Sequence, residues 1–279
     1  MENNKGITFS VMQYNMLGLC YAFPEWFPHC PPSLLHHVQR KVRIVQQFKK
    51  LNPDIITLQE LDCIDYFRAE LSKLGYECVY QQRPCKQDGC GIFYKSDRFQ
   101  VCQTQSIEYN DGTSRIGLVA TFSPKFKSTD ANDEVAKPCI CVGTTHLYWN
   151  DTYMNLLKAE LVDFLSLLGS INKNSIDQRL PTILAGDFNS APSSKVYAKV
   201  KQHELKFQSA YRNHNNADVE PPTCNRRAID YIFYSTAHTA HDLKLVSVED
   251  LPDLKTIQIP NEEHPSDHLP LNATFELHL

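Results

Sequence analysis

Apolar residues along this chain fall into short runs bounded by polar turns, with longer stretches of helical spacing between them. Residues 7–14 read as a strand ending at Asn15. Residues 33–51 place Leu34, Val38, Val42, Val45 and Phe48 on one stripe, which predicts a helix with Ser33 as its N-cap and Asn52-Pro53 as its stop. A short buried strand over 54–58 then delivers Gln59 and Glu60, and a helix over 64–74 ends at Gly75. Strands are predicted over 77–81, 91–94, 99–107 and 117–122, and the polar stretch 123–137 reads as a mobile hairpin loop. Residues 138–145 form a strand ending at His146. A second amphipathic helix over 151–168 carries Leu156, Leu157, Glu160, Leu161 and Phe164 in register. Strands over 181–185, 229–234, 243–248 and 269–277 complete the pattern, and the polar stretch 212–222 suits a loop over a site.

Strands outnumber helices, and the helices fall between groups of strands. The expected architecture is α/β, with two packed sheets and helices outside them. With 279 residues, 42% of them hydrophobic, the chain can build one large core, and no repeat or Gly/Ser-rich linker divides it, so residues 1–279 read as a single domain. A net charge of −4 argues against a broad grip on duplex phosphates. The ten cysteines have no regular spacing and predict neither a zinc site nor a disulfide framework, but reduced thiols in an intracellular, cytoplasmic protein. Alternation would put Cys139 and Cys141 on one face of their strand. The first residues hold no apolar or Arg-rich leader, and no run approaches the ~20 apolar residues of a membrane span.

Polar groups stand at several strand ends. Glu60 and Asn15 together offer oxygen ligands to a hard cation such as magnesium. Asp187 and Asn189 lie two apart in Gly186-Asp187-Phe188-Asn189, so an extended backbone would point both the same way, while Gly186 permits a close approach. An aspartate there can deprotonate or orient water, and the amide can donate to a phosphoryl oxygen; an Asx-turn suits the same two residues equally well. His146 alone reads as structural. His268 follows Asp267, a pairing that a capped turn also explains. Asp230 lies in the apolar run Ala228-Ile229-Asp230-Tyr231-Ile232-Phe233 and needs a partner, for which an imidazole is the natural choice.

In their order along the chain, Met12-Gln13-Tyr14-Asn15, Leu58-Gln59-Glu60, Thr145-His146-Leu147, Gly186-Asp187-Phe188-Asn189, Ile229-Asp230-Tyr231 and Ser266-Asp267-His268 resemble the endonuclease/exonuclease/phosphatase superfamily over essentially the whole chain. The resemblance implies a four-layer α/β sandwich of two mostly antiparallel sheets and a phosphodiesterase or phosphatase using Mg²⁺, for which Mn²⁺ can substitute. It implies that Glu60 holds the metal with Asn15 nearby, and that Asp187 activates water. Asn189 and His146 would bind the scissile phosphate, Asp230 would pair with His268, and Asp267 would assist that centre or a second metal.

Asp88-Gly89-Cys90-Gly91-Ile92-Phe93-Tyr94, Thr145-His146-Leu147-Tyr148-Trp149, Asn189-Ser190-Ala191-Pro192 and Ile229-Asp230-Tyr231-Ile232-Phe233-Tyr234-Ser235 are similar to the deadenylase-like branch, which includes nocturnin, angel and the 2′-phosphodiesterase. That branch implies a 3′-to-5′ exonuclease acting on single-stranded RNA ends and releasing 5′-nucleotides. Two other readings stay open, a phosphatase of a small nucleotide such as NADP(H) and a catalytically weak RNA-binding scaffold. The stretch Thr223-Cys224-Asn225-Arg226-Arg227 has no ring where branch members carry an adenine-stacking aromatic. Substrate contacts are therefore expected from Trp149, Arg226 and Arg227; for the two arginines, a solvated basic turn explains the sequence as well.

Overall fold

Residues 6–125, 139–171, 179–214, 219–237 and 241–278 are described by the computed structural model, and their strands assemble into two six-stranded sheets. The first sheet runs β11 (Asp242–Val248), β12 (Leu271–His278), β1 (Gly6–Asn15), β2 (Ile55–Gln59), β4 (Gly89–Lys95) and β3 (Tyr76–Gln82). In the second, the order is β5 (Phe99–Glu108), β6 (Ile116–Pro124), β7 (Ile140–Thr145), β8 (Thr182–Asp187), β10 (Asp230–Tyr234) and β9 (Gln208–Ser209). Each sheet is antiparallel except for one central parallel pair, β1 with β2 and β7 with β8. A parallel pair needs a long return path. The helices α1 (Pro32–Leu35) and α2 (His37–Leu51) supply it in one sheet, and α4 (Met154–Ile171) in the other.

Four layers follow from strand alternation. Phe9 and Val11 of β1 face Ile116, Phe122 and Val142 between the sheets. Met12 and Tyr14 point the other way, onto Ile44 and Phe48 of α2 and Phe67 of α3 (Ile64–Ser72). On the far side, Val119, Cys141 and Leu184 pack on Leu161 and Phe164 of α4 and Val196 of α5 (Lys195–Lys201). Burying each such side chain contributes roughly 1.5–3 kcal/mol. Among the described residues no helix is long and apolar enough to cross a membrane.

The expected helix over 33–51 is two helices, because His36 is extended between them; Ser33 lies inside the first and caps nothing. The buried face of α2 is Arg40, Ile44 and Phe48, whereas Val38 and Val42 are exposed. That rotation follows from the loops beneath the helix, whose carbonyl groups Arg40 satisfies. Asn52 ends α2 in the left-handed conformation. Cys139 precedes β7 and packs toward the inter-sheet core, while Cys141 faces α4, so the two do not share a face. None of the ten cysteines, all of them among the described residues, is recorded in a disulfide. The helices α5 and α6 (Ala210–His214) were not legible in the polarity pattern, and Arg212 belongs to α6 rather than to a loop. Most of the predicted hairpin loop, from residue 126, and residues 215–218 lie outside the described residues.

Gly186 lies on β8 where β7 crowds it most closely. A Cβ built there would sit 2.4 Å from the Thr145 carbonyl oxygen, closer than any real contact. Gly186→Ala is expected to lower stability by about 1–3 kcal/mol in urea unfolding, because backbone cannot yield as a side chain can.

Candidate active site

Both parallel pairs run toward the same edge of the sandwich. Strands β1 and β2 end at Asn15 and Gln59, β7 and β8 at Thr145 and Asp187, and the two pairs face each other across the core. Antiparallel neighbours contribute their beginnings at that edge. Asp230 opens β10 directly opposite Asp187. Strand β12 starts at Leu271, opposite Gln13, so the preceding Ser266-Asp267-His268 falls beside Asn15. Residues 250 positions apart thus meet through topology alone, and the Ser266 hydroxyl donates to the Asn15 carbonyl at 2.7 Å.

Asn15 joins the sheets. Its amide nitrogen lies 3.0 Å from Asp187 Oδ2 and 3.4 Å from Glu60 Oε1, while its own oxygen accepts from the Leu17 N–H. The second oxygen of Glu60 accepts from the Gly18 N–H at 2.8 Å. Behind this layer, the Gln13 amide donates to Gln59 Oε1 at 2.7 Å and to Asp230 Oδ1 at 3.0 Å, and Gln59 donates to the Thr144 hydroxyl. The other oxygen of Asp230 takes the Thr223 hydroxyl at 2.6 Å and meets His268 Nδ1 at 2.8 Å. His268 Nε2 consequently faces Asp187 Oδ2 at 3.9 Å and Asp267 Oδ1 at 4.0 Å. From β7, His146 brings Nε2 to 3.4 Å from the same Asp187 oxygen.

Asp187 is the last residue of β8, and Asn189 beyond it adopts the left-handed conformation with φ 47°. Of the two readings open in the sequence, the structure has the turn and not the extended pair. The Asn189 N–H bonds Asp187 Oδ1 at 2.9 Å, forming the Asx-type turn, and its amide donates to the Leu147 carbonyl. Arg40 holds the two loops that frame the site, donating to the carbonyls of Met16 at 2.6 Å and Pro265 at 3.5 Å.

Burial, followed by repulsion from Asp230, pushes the Asp187 carboxyl up to about 7. Burial and then Asp267 raise Glu60 as well. Burial also opposes charge on His268, but Asp230, Cys224 and Asp267 outweigh it and hold the imidazole well above its ordinary value. His146 moves the opposite way, well below the usual histidine range, because burial is joined by repulsion from Arg115, Arg83 and His268. One buried imidazole is thus charged and the other neutral at neutral pH.

Two sets of ligand atoms lie close enough to share an ion, Asp187 with Asp230 and His268, and Cys224 with Asp267 and His268. In the first set Asp230 and His268 are already bound to each other. Glu60, which is half-buried, belongs to neither set, yet one of its oxygens is committed only to a 3.4 Å amide contact.

Trp149 is 61% exposed beside Tyr148 and takes no part in the cluster. Arg226 and Arg227 are exposed, and Arg226 lines a cavity of about 430 Å³ together with Trp26, Phe27, Cys224 and Asp267. The functions of Gln13, Gln59, Thr223, Ser266 and Arg115 escaped sequence reading. For Gln13 a signal existed, since it lies two residues before Asn15 on one strand and so shares its face. For Trp26, some 200 residues from Arg226 in sequence, none did.

A model of the Endonuclease/Exonuclease/phosphatase family matches residues 12–268. Among curated proteins, carbon catabolite repressor protein 4 homolog 4 of Arabidopsis thaliana is 30% identical, covering 98% of this chain and 78% of the relative. Nocturnin of Xenopus laevis is 29% identical over 96% of this chain and 72% of its own. Of the solved structures, ANGEL2, a 2′,3′-cyclic phosphatase in complex with adenosine-2′,3′-vanadate, superposes with a TM-score of 0.83 at 27% identity, covering 98% of this chain and 97% of that one. The human nocturnin catalytic domain with bound sulfate gives 0.76 at 26% identity, covering 98% and 97%.

Asp230→Asn should lower the His268 pKa and reduce turnover about 10²–10⁴-fold, with little change in circular dichroism. Because the folded-state pKa of His268 is raised, the pair's stabilisation is complete below the unfolded value of about 6.5 and fades as pH rises through the folded value. The stability gap between wild type and Asp230→Asn in urea unfolding should therefore be widest in mild acid and narrow toward alkaline pH.

Proposed function

The chain belongs to the Endonuclease/Exonuclease/phosphatase family, in its deadenylase-like branch, and from that premise we propose that it is a Mg²⁺-dependent phosphodiesterase that trims single-stranded RNA from the 3′ end and releases 5′-nucleotides. The observation that carries this reading is the meeting of Asn15, Glu60, His146, Asp187, Asp230 and His268 at one edge, with protonation states forced apart by their surroundings.

The donor set fits a hard cation. Glu60 and Asp267 offer carboxylate oxygens, while Asn15 turns its amide nitrogen toward Glu60; burial and then repulsion from Asp267 raise Glu60, and a divalent ion relieves both. Magnesium, when bound there, supplies Lewis-acid stabilisation of the phosphoryl oxygens. The protein's own groups do the rest. Asp187, with Oδ1 pinned by the Asn189 N–H and Oδ2 facing both imidazoles, orients a water molecule and takes its proton. The water oxygen attacks phosphorus in line, the bond to the departing 3′-oxygen breaks, and that oxygen regains a proton from solvent. Neutral His146 and the second amide hydrogen of Asn189 donate to phosphoryl oxygens. Protonated His268, oriented by Asp230, opposes the charge that develops on them.

A second reading, a phosphatase of a small nucleotide such as NADP(H) or a 2′,3′-cyclic phosphate, is favoured by the cavity beside Asp267. Its volume of about 430 Å³ suits one nucleoside, with the exposed Trp26 ring available for stacking. A binding scaffold without chemistry is the third reading, and the complete acid–imidazole set argues against it.

A panel of oligo(A), mixed-sequence RNA, 2′-5′ oligoadenylate, DNA, 2′,3′-cyclic AMP and NADPH, each with Mg²⁺ or EDTA, separates the readings. Shortening of RNA with release of 5′-AMP, abolished by EDTA and by Asp187→Ala, is the expected result. Phosphate release from NADPH, or opening of the cyclic phosphate, without RNA shortening would select the second reading. Identical background for wild type and Asp187→Ala on every substrate would select the third. On the substrate that is turned over, Trp26→Ala should raise KM about 5- to 100-fold, the equivalent of roughly 1–3 kcal/mol of stacking, with kcat nearly unchanged.

A further inference from the structure

Three guanidinium groups are buried around this edge, and two of them donate to acceptors in the protein, although Arg40 Nε has none. Arg83 forms a buried ion pair with Asp88 at 2.9 Å and donates to the Ser114 carbonyl. Arg40 donates to Met16 and Pro265. Arg115 is different. Its side chain is 7% exposed, yet neither Nε nor Nη1 has an acceptor in the protein, and it makes no ion pair within 4.0 Å among the described residues.

Its backbone is held firmly. The Arg115 N–H donates to the Thr113 hydroxyl at 3.1 Å, and its carbonyl accepts from the Tyr109 N–H at 3.0 Å. The preceding Ser114 adopts the left-handed conformation with φ 58°, and its carbonyl is tied to Arg83. Strand β6 pairs antiparallel with β7, Gly117 opposite Thr145, so Arg115 stands beside the exit of β7 from which His146 emerges. The Arg115 charge is felt by Glu60 and by His146, and the carboxylates attracting it are Glu60 and Asp187. Arg83 repels it. A buried cation left with two idle donors, close to a second cation and at a remove from two carboxylates, is suited to an anion that enters between them.

We infer that Arg115 grips the phosphoryl group of the substrate, its forked N–H donors donating to the non-bridging oxygens on the side of the site away from His268. The inference rests on the phosphoester reading above. Arginine serves such a role better than lysine because its planar fork binds two oxygens at once and its charge survives burial. His146 gains a purpose as well. Repulsion from Arg115 helps keep that imidazole neutral, so the phosphoryl group meets one fixed cation on this side and one protonated imidazole on the other.

Inorganic phosphate and orthovanadate, titrated calorimetrically into the Mg²⁺-loaded protein and into the EDTA-treated protein, test this without turnover. Arg115→Met should weaken phosphate binding about 10- to 100-fold, the loss expected for charge-assisted hydrogen bonds. Arg115→Lys should fall between, because it keeps the charge and loses the fork. On a cleaved substrate, Arg115→Lys should depress kcat/KM while leaving the melting temperature within a few degrees of wild type. Phosphate affinity within twofold of wild type in folded Arg115→Met would overturn the inference and make the group a hydrated structural cation. If Arg115→Met does not fold, unchanged affinity in Arg115→Lys overturns it equally. Absence of turnover in wild type alongside Arg115-dependent phosphate binding would defeat the phosphoester reading and leave the anion site standing.

Discussion

The amide of Asn15, placed between Glu60 of its own sheet and Asp187 of the other, is the interaction on which this edge depends. Two carboxylates brought together in a buried space repel, and without a donor between them the edge would open or the acids would protonate. A neutral amide supplies the donor without adding charge. Gln13 repeats the device one layer deeper, between Gln59 and Asp230. The two sheets are therefore joined by hydrophobic contact through the middle and by neutral amide donors at the working edge. The acids stay close because neutral groups lie between them, and their raised pKa values record burial first and then repulsion, from Asp267 on Glu60 and from Asp230 on Asp187.

Topology explains why so many functional groups could be gathered there. Each sheet contains one parallel pair, and parallel strands end at the same edge. Facing the two pairs across the core puts four strand ends together, and antiparallel neighbours add the beginnings of β10 and the approach to β12. Function sits outside the carboxyl ends of parallel strands because there the chain leaves the hydrogen-bonded ladder, and side chains can turn toward a ligand. Gly186 shows how tightly that arrangement is drawn, since β8 approaches β7 where only a hydrogen can stand.

Much of the fold was legible because strands buried on both faces read as apolar runs, and the ends of β1, β2 and β7 fell within a residue or two of expectation. Where expectation failed, tertiary contact had overridden periodicity. The stripe through Val38 and Val42 is a valid helical pattern, but the loops beneath α2 need Arg40, and a buried polar interaction rotated the helix away from its more apolar face. At Asn189 two readings were open in the sequence, and the fold takes the turn: the Asp187 side chain accepts from the Asn189 N–H, and the Asn189 side chain is directed to the Leu147 carbonyl. Glu60 and Asp187 could be named from their positions after apolar runs, and His268 from the family resemblance of its segment. Their neighbours could not, because Thr223 meeting Asp230 and Trp26 approaching Arg226 are facts of tertiary structure alone.

An acidic chain that handles phosphate presents an apparent conflict of charge. The net charge of −4 belongs to the whole chain, and the reach of its exposed charges is screened within about 8–10 Å by salt. Arg40, Arg83, Arg115 and protonated His268 are buried around one edge, where a charge acts through a poorer dielectric and over a shorter distance. Few cations then suffice for one phosphoryl group. Cations buried at one edge suit the proposed action on a chain end or a small nucleotide more than a grip along the length of a duplex.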